Sequence, residues 1–296
     1  MRTLYIVDGD SSGGSLKRAV RGAEILVWRD ALYEGPVPGG LSLGQLSRIR
    51  ARHWNVAASD FSRRDRNLAR ARQFDEVVLW LGPTMVCQLS LIQLLDWFAA
   101  HPAKNLTLID AEYAGWLPPE KMAPHLERRR KVTAAMLRVA RRAWKAFTAP
   151  DPQPLQKFLV SDSSALPGLR PILQKIAEEY PDDSGLSRIE RKLLAQFRRP
   201  RKAVEGVAHA MRDETFGDVY YFDALDRFIG ATNQLLCFAE PPPENLRAAV
   251  LVTTGFGRKV LAGKADAIAF NGIDRWIGGM HLEGFHVARR SFFPLR

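Results

Sequence analysis

Short apolar runs alternate with stretches of helical spacing through the first 110 residues. RTLYIV at 2–7, EILVW at 24–28, EVVLWL at 76–81 and LTLID at 106–110 are too short for helices and apolar throughout, as strands covered on both faces are. Between the first two, DGDSSGGS predicts a glycine-serine turn and LKRAVRG a helix ended by Gly22. LSLGQLSRIRARHW keeps Leu43, Leu46, Ile49 and His53 on one side, and MVCQLSLIQLLDWFAAH at 85–101 is a strongly apolar helix. Strands alternating with helices in this way predict the α/β class: an open parallel sheet with helices on both faces.

Residues 118–147 open on proline and then hold one amphipathic pattern, predicting a single helix. Val132, Met136, Val139, Ala140, Ala143 and Phe147 share one arc; Arg130, Lys131, Arg138, Arg141, Arg142 and Lys145 share the opposite one. TAPDPQP at 148–154 is a proline-rich break, which predicts a domain boundary near residue 150: an α/β domain over 1–150 and a second domain over 151–296. LPGLRPILQKIAEEY continues as helix. Ser187 and Glu190 then form an S-x-x-E capping box ahead of Ile189, Leu193, Leu194 and Phe197. Two further helical stretches, the strands LLCFA and AAVLVTT, and a short helix in GFGRKVLAG follow. Helices followed by a hairpin predict a helical, winged-helix-like C-terminal domain.

Charge changes the picture next. The chain of 296 residues carries a formal +11, concentrated in 48–72, 119–147 and 188–202, so the remainder is net acidic. Such clustering makes contact with a nucleic acid or an acidic protein physically reasonable, since neutralised phosphates release counterions. The stretch 216–230, which would be the groove-reading helix of a winged helix, opposes this: Asp218, Asp223 and Asp226 stand against Arg227 alone. A packing module is the expectation there. Cys87 and Cys237 lie in separate apolar segments without metal-binding spacing, which predicts reduced thiols and a cytoplasmic location. The N-terminal apolar run is too short for a signal peptide, and no run approaches the length of a membrane span. No membrane, metal or cofactor is expected; His281 and His286 are five apart, a spacing suited to neither a helix face nor a strand pair.

Ligands of open α/β sheets bind beyond the carboxyl ends of the strands. Those ends carry Gly9, Asp10, Ser11, Gly14 and Ser15, then Arg29, Asp30, Glu34 and Gly35, then Gly82 with Gln88, then Asp110. The first loop offers backbone N–H groups and hydroxyls to an anion, yet matches neither GxGxxG nor GxxxxGK[ST]. Two hydrolytic patterns also touch it. DGD after a strand is that of an aspartyl-phosphate nucleophile, with Asp8 attacking and Asp10 as acid/base, but no lysine stands at a strand end. GDSSGG is similar to the GDS block of serine esterases, with Ser11 as nucleophile and His281 seven residues after Asp274. Outside this rim, NGIDRWIGGMHL at 271–282 gathers Asp274, Arg275, Trp276 and His281 around a glycine pair, and is expected to fold over the rim, with Arg275 as a cation for the ligand.

GDSSGGSL at 9–16, WRDALYEGPVP at 28–38, LWLGPTMVCQLSLIQLL at 79–95, WKAFTAPDP at 144–152, SALPGLRPIL at 164–173, GLSRIERKLL at 185–194 and LAGKADAIAFNGIDRWIGGMHL at 261–282 occur in that order. This succession resembles the bacterial proteins of domain-of-unknown-function family 1835 over nearly the whole chain. The resemblance implies a two-part architecture and no established activity. The ending HVARRSFFPLR departs from the Trp-Arg-Trp-Asp-like end of that family. The expected function is binding of a small anionic ligand, a nucleotide or phosphorylated metabolite, at the strand ends. The alternative is a hydrolase using Ser11 or Asp8/Asp10. The sequence sets no oligomeric state.

Overall fold

A computed structural model describes residues 1–110, 113–214 and 216–293; the final three residues of the tail singled out above lie outside it. The chain divides into two compact units, Met1–Leu173 with Gly278–Met280, and Gln174–Ile277 with His281–Arg296. The proline-rich stretch 148–154 therefore lies inside the first unit.

The first unit is built on β1 (Thr3–Val7), β2 (Glu24–Val27), β3 (Glu76–Trp80), β4 (Leu106–Ile109) and β5 (Arg130–Lys131), in the order β2-β1-β3-β4-β5. The first four run parallel and β5 is antiparallel to β4. Strand side chains alternate between faces, so Val7, Val78, Trp80 and Ile109 meet Leu16, Ala114 and Met122 on one side. On the other side Trp28 donates its indole N–H to Gln93 Oε1 at 2.8 Å. The helices are α1 (Asp10–Ala19), α2 (Leu43–His53), α3 (Ala58–Ala69), α4 (Met85–Ala100), α5 (Ala123–Glu127), α6 (Ala134–Phe147), α7 (Gln153–Leu159) and α8 (Leu169–Ala177), the last crossing the division. Apolar on almost every side, α4 is buried, as such a helix must be.

Three expectations change here. The glycine-serine turn is the start of α1, which begins at Asp10 with Gly9 as its N-cap, two residues after the end of β1. Gly13 then serves packing: a Cβ there would stand 3.1 Å from Val27 Cγ2, so its absence lets α1 lie close against β2. The single helix over 118–147 is broken into α5, β5 and α6. Arg129 turns to buried Glu76 at 2.7 Å and Arg130 pairs with Asp110, while residues 130–131 join the sheet edge. Thr133 accepts from the Met136 N–H to start α6, and from there the expected arc of Met136, Val139, Ala140, Ala143 and Phe147 is buried. Finally, α3 was hidden in the basic run 48–72.

The second unit contains α9 (Arg188–Leu194), β6 (Arg201–Lys202), α10 (Ala203–Ala210), α11 (Asp218–Gly230), β7 (Leu236–Phe238), β8 (Val250–Thr253), α12 (Gly255–Leu261), α13 (Ala267–Asn271), β9 (Ile273–Ile277) and β10 (Met280–Gly284). The Ser187 side chain accepts from Glu190 N–H and the Glu190 carboxylate from Ser187 N–H, which completes the expected capping box. An antiparallel sheet of order β6-β8-β7 accompanies α9, α10 and α11, over a core that includes Leu193, Leu194, Phe197, Tyr221, Leu225 and Leu251. β9 and β10 form a separate two-stranded sheet. The Gly278–Gly279 turn, in the first unit, abuts Phe147 and Thr148: a Cβ at either glycine would fall about 2 Å from a backbone oxygen.

Candidate functional site

In the order β2-β1-β3-β4 the chain leaves β1 first to one side and then to the other, placing the switch point at the carboxyl ends of β1 and β3. A cavity of about 510 Å³ opens there, on the β2 side. Asp8 and Val27 end their strands in it, Arg29 and Asp30 begin the loop after β2, and α3 contributes Asp60, Phe61 and Arg64. Trp54, Val56 and Val86 complete walls that are mainly apolar, the usual character of a small-molecule site.

Below the cavity lies a buried charge network. Arg50 is fully buried, donating to Asp30 Oδ1 at 2.7 Å and to the carbonyls of Ala31 and Glu34 at 3.0 and 2.5 Å. Trp54 Nε1 donates to the same Asp30 oxygen at 3.0 Å. Together these bonds fix the loop that forms the cavity rim. Arg64 is also buried; its Nε and Nη2 donate to Asp65 and its Nη2 to Ser47 Oγ. Its guanidinium lies 3.8 Å from the Trp28 ring and 4.5 Å from that of Phe61. Burial lowers its pKa against the pull of Asp65 and Asp30, but an arginine stays charged. Arg64 Nη1 makes no hydrogen bond, and Asp30 Oδ2 lies 4.0 Å away. A buried donor left without an aligned partner costs about 1–3 kcal/mol, met here in part by the Asp30 charge.

Asp8 faces α1 and α4. Ser12 Oγ donates to Asp8 Oδ1 at 2.8 Å, and Cys87 and Tyr113 stand beside the same carboxylate. Burial, helped by the Asp8 charge, pushes the Cys87 thiol and the Tyr113 hydroxyl each up to about 12. Both remain protonated at neutral pH, so Cys87 is not a nucleophile. Asp10 is exposed and pairs with Arg29. Gly9, the N-cap of α1, has no side-chain cap and nothing within 4 Å of its would-be Cβ, leaving this helix end open. Ser11 Oγ donates to the Gly115 carbonyl at 3.4 Å, with no histidine in contact among the described residues.

The other rim residues have structural partners. Gly14 lies inside α1, and buried Ser15 accepts from Arg18. Glu34 is buried beneath the loop. Gly35 has φ +69°, with the His53 ring where a Cβ would be. Gln88 donates to the Gly82 carbonyl at 2.9 Å, holding the loop after β3.

The 271–282 segment behaves differently from expectation. Its tip reaches the loop after β2, with Val37 N–H donating to the Gly278 carbonyl at 2.8 Å. Arg275, in contrast, is buried in the second unit, 3.0 Å from Glu190 Oε1 and donating to the Glu179 carbonyl. Its charge is met there. His281 Nε2 lies 2.7 Å from Asp274 Oδ1, and its ring stacks on Trp276 at 4.5 Å.

Sequence reasoning missed Arg50, Trp54, Phe61 and Arg64. Their signal was present: Phe61, Arg64 and Leu68 recur at i, i+3 and i+7, placing a cation on the buried face of α3. Part of the remaining basic charge is paired. Arg63 meets Asp60, Arg141 meets Asp96, Arg188 and Lys192 meet Glu214, and Arg191 meets Asp182. Among the described residues no His/Cys/Asp/Glu group could hold a metal ion, and no helix is long and apolar enough to cross a membrane. No family model matches the chain, and no curated protein matches it.

Proposed function

We propose that the first unit binds a small ligand of the nucleoside monophosphate class in the cavity at the ends of β1 and β2. The observation that carries this reading is the largely apolar cavity at the strand ends, with the rings of Trp54 and Phe61 and the cation Arg29 in its walls. Trp54 and Phe61 offer faces for a planar ring, and Asp8 and Asp60 acceptors for amino or hydroxyl groups. The open end of α1, with Arg29 beside it, suits one anionic group. Asp8, Asp10, Asp30, Asp60 and Asp65 outnumber Arg29, Arg50, Arg63 and Arg64, so each added phosphate charge costs more. A triphosphate would meet net repulsion.

Binding is better supported than hydrolysis, since Ser11 lacks a contacting base and Asp10 is engaged by Arg29. Carboxylate pairing gives structural roles to part of the basic runs. Helix, strand, two helices and a hairpin in α9 to β8 support a winged-helix-like reading of the second unit, used for packing. Two unpaired thiols accord with a reducing, cytoplasmic setting. The resemblance to family 1835, which no family-model match supports, is compatible with the two-unit division and adds no activity.

Differential scanning fluorimetry and calorimetry with nucleosides, their mono- and triphosphates and inorganic phosphate test the proposal. A monophosphate should raise the first unit's melting temperature by a few degrees and bind more tightly than its triphosphate. Val56→Trp, at an exposed cavity wall, should abolish the shift while preserving the fold. Absence of any shift, or one that survives Val56→Trp, would refute it. Weak heparin retention at physiological ionic strength should accompany it; strong, salt-steep retention would restore the polyanion reading.

A further inference from the structure

The second unit contains its own cavity, of about 690 Å³, a size that suits a small molecule. Leu186, Phe228, Leu235, Ile268, Ile273 and Phe285 make its lining predominantly apolar. Glu190, Asp226, Arg227, Asp274 and Arg275 also line it, so carboxylates outnumber guanidinia.

Neither guanidinium is left over for a ligand. Arg275 lies 3.0 Å from Glu190 Oε1 and donates to the Glu179 carbonyl, and its Nε and Nη1 are enclosed. Arg227 Nη2 stands 3.1 Å from the same Glu190 oxygen, while the other oxygen accepts from Ser187 N–H. Glu190 is thereby fully engaged. Asp274, at the cavity edge, is exposed and held by His281 at 2.7 Å.

Asp226 differs from all of these. It is exposed and forms no ion pair among the described residues, because its neighbour Arg227 turns to Glu190 instead. Three positions earlier on α11 stands Asp223, a like charge on the same side of the helix. Partial burial and Asp223 push the Asp226 carboxyl up from its ordinary value against the pull of Arg227, as expected of a negative charge without a partner.

From this arrangement we infer that the second unit binds an amine with an apolar body, its ammonium at the Asp226 carboxylate and its hydrocarbon against the walls. The cavity supplies apolar area for the body and one unmatched, accessible charge for the head. Phe228 and Phe285 add aromatic rings, whose faces attract cations. A carboxylate ligand is the opposite case: it would meet Asp226 and Asp274 at the rim, and the one accessible guanidinium, that of Arg227, is already held by Glu190.

Octylammonium, octanol and octanoate, each titrated calorimetrically into the full chain, test the inference. Octylammonium should bind at least about fivefold more tightly than octanol, the range of a partly exposed ion pair, and octanoate should be the weakest of the three. Asp226→Asn, at an exposed position without an ion pair to lose, should bring octylammonium within about twofold of octanol. Phe285→Ser removes an exposed part of the apolar wall and should weaken octylammonium and octanol alike by at least about threefold. Val56→Trp, in the first unit, should leave octylammonium affinity unchanged. No octylammonium binding, affinity no tighter than that of octanol, a preference undiminished in Asp226→Asn, affinity undiminished in Phe285→Ser, or affinity lost in Val56→Trp would each overturn the assignment. Nucleotide binding by the first unit is measured separately and stands or falls alone.

Discussion

Arg50→Met tests whether the buried ion pair with Asp30 builds the cavity rim. The substitution keeps much of the side-chain volume and removes every donor. Asp30, whose side chain is 1% exposed, would retain only Trp54 Nε1 at 3.0 Å and Arg64 at 4.0 Å. The carbonyls of Ala31 and Glu34 would lose their guanidinium donors. Removing one partner of a buried pair costs about 3–5 kcal/mol because the other charge stays buried. The surviving Trp54 bond argues for the lower end. With a urea m-value of roughly 2 kcal/mol/M, a 3 kcal/mol loss moves the midpoint of the first unit down by about 1.5 M. Circular dichroism gives that midpoint, and hydrogen exchange of β1 and β3 amides locates it in this unit. Asp30→Asn combined with Arg50→Met removes both charges, so the double variant should fall short of additivity by about 1–3 kcal/mol. A single-variant shift under about 0.5 M, or strict additivity, would mean that the pair is not what holds the rim.

Gly35→Ala places a Cβ at φ +69° and 2.4 Å from the His53 ring, so it should cost about 1–2 kcal/mol from backbone strain plus the displaced ring. In a His53→Ala background the ring component should vanish; an unchanged cost by urea melt would locate the effect elsewhere. Glu214 is held down to about 2: burial would raise it, but Arg188 and Lys192 outweigh burial. Its folded value lies below its ordinary one, so its contribution is complete above about pH 4.5 and lost as pH falls toward 2. Its partners are about a third exposed, which screens that contribution to roughly 2 kcal/mol. Glu214→Gln should therefore lower stability at neutral pH and flatten the acid limb measured by urea melts between pH 4.5 and 2; an acid limb as steep as that of the unaltered protein would exclude the role.

The sheet was legible because parallel strands are buried on both faces and read as apolar runs; β1 to β4 fall within a residue or so of their expected limits. The Ser187 capping box was legible because its signal is local. What the sequence hid depends on charges that find partners far along the chain. Arg129 and Arg130 looked like one turn of a basic helix face, yet Glu76 and Asp110, more than 15 residues away, draw them out of any helix. Arg50 and Arg64 looked like solvated cations for the same reason. For the candidate site, the rim loops were correctly located on the strand ends, but most of their polar side chains support the rim and few face the cavity. Asp30 and Gln88 are the clearest cases, each bonded to another part of the scaffold.

The two cavities share a device and differ in its electrostatic setting. Each has a buried arginine held by carboxylates but not fully bonded by them. Around Arg64, Asp30 is shared with Arg50 and Asp65 is bound directly, while Asp8 and Asp60 add negative charge at the cavity. Around Arg275, Glu190 is shared with Arg227, and the Glu179 carbonyl accepts from Arg275 while its carboxylate accepts from Tyr220. Arg64→Met and Arg275→Met should each leave a buried carboxylate uncompensated and cost about 3–5 kcal/mol in their own unit. Hydrogen exchange assigns the loss to a unit, and protection unchanged in both would show that these arginines do not hold the carboxylates in place.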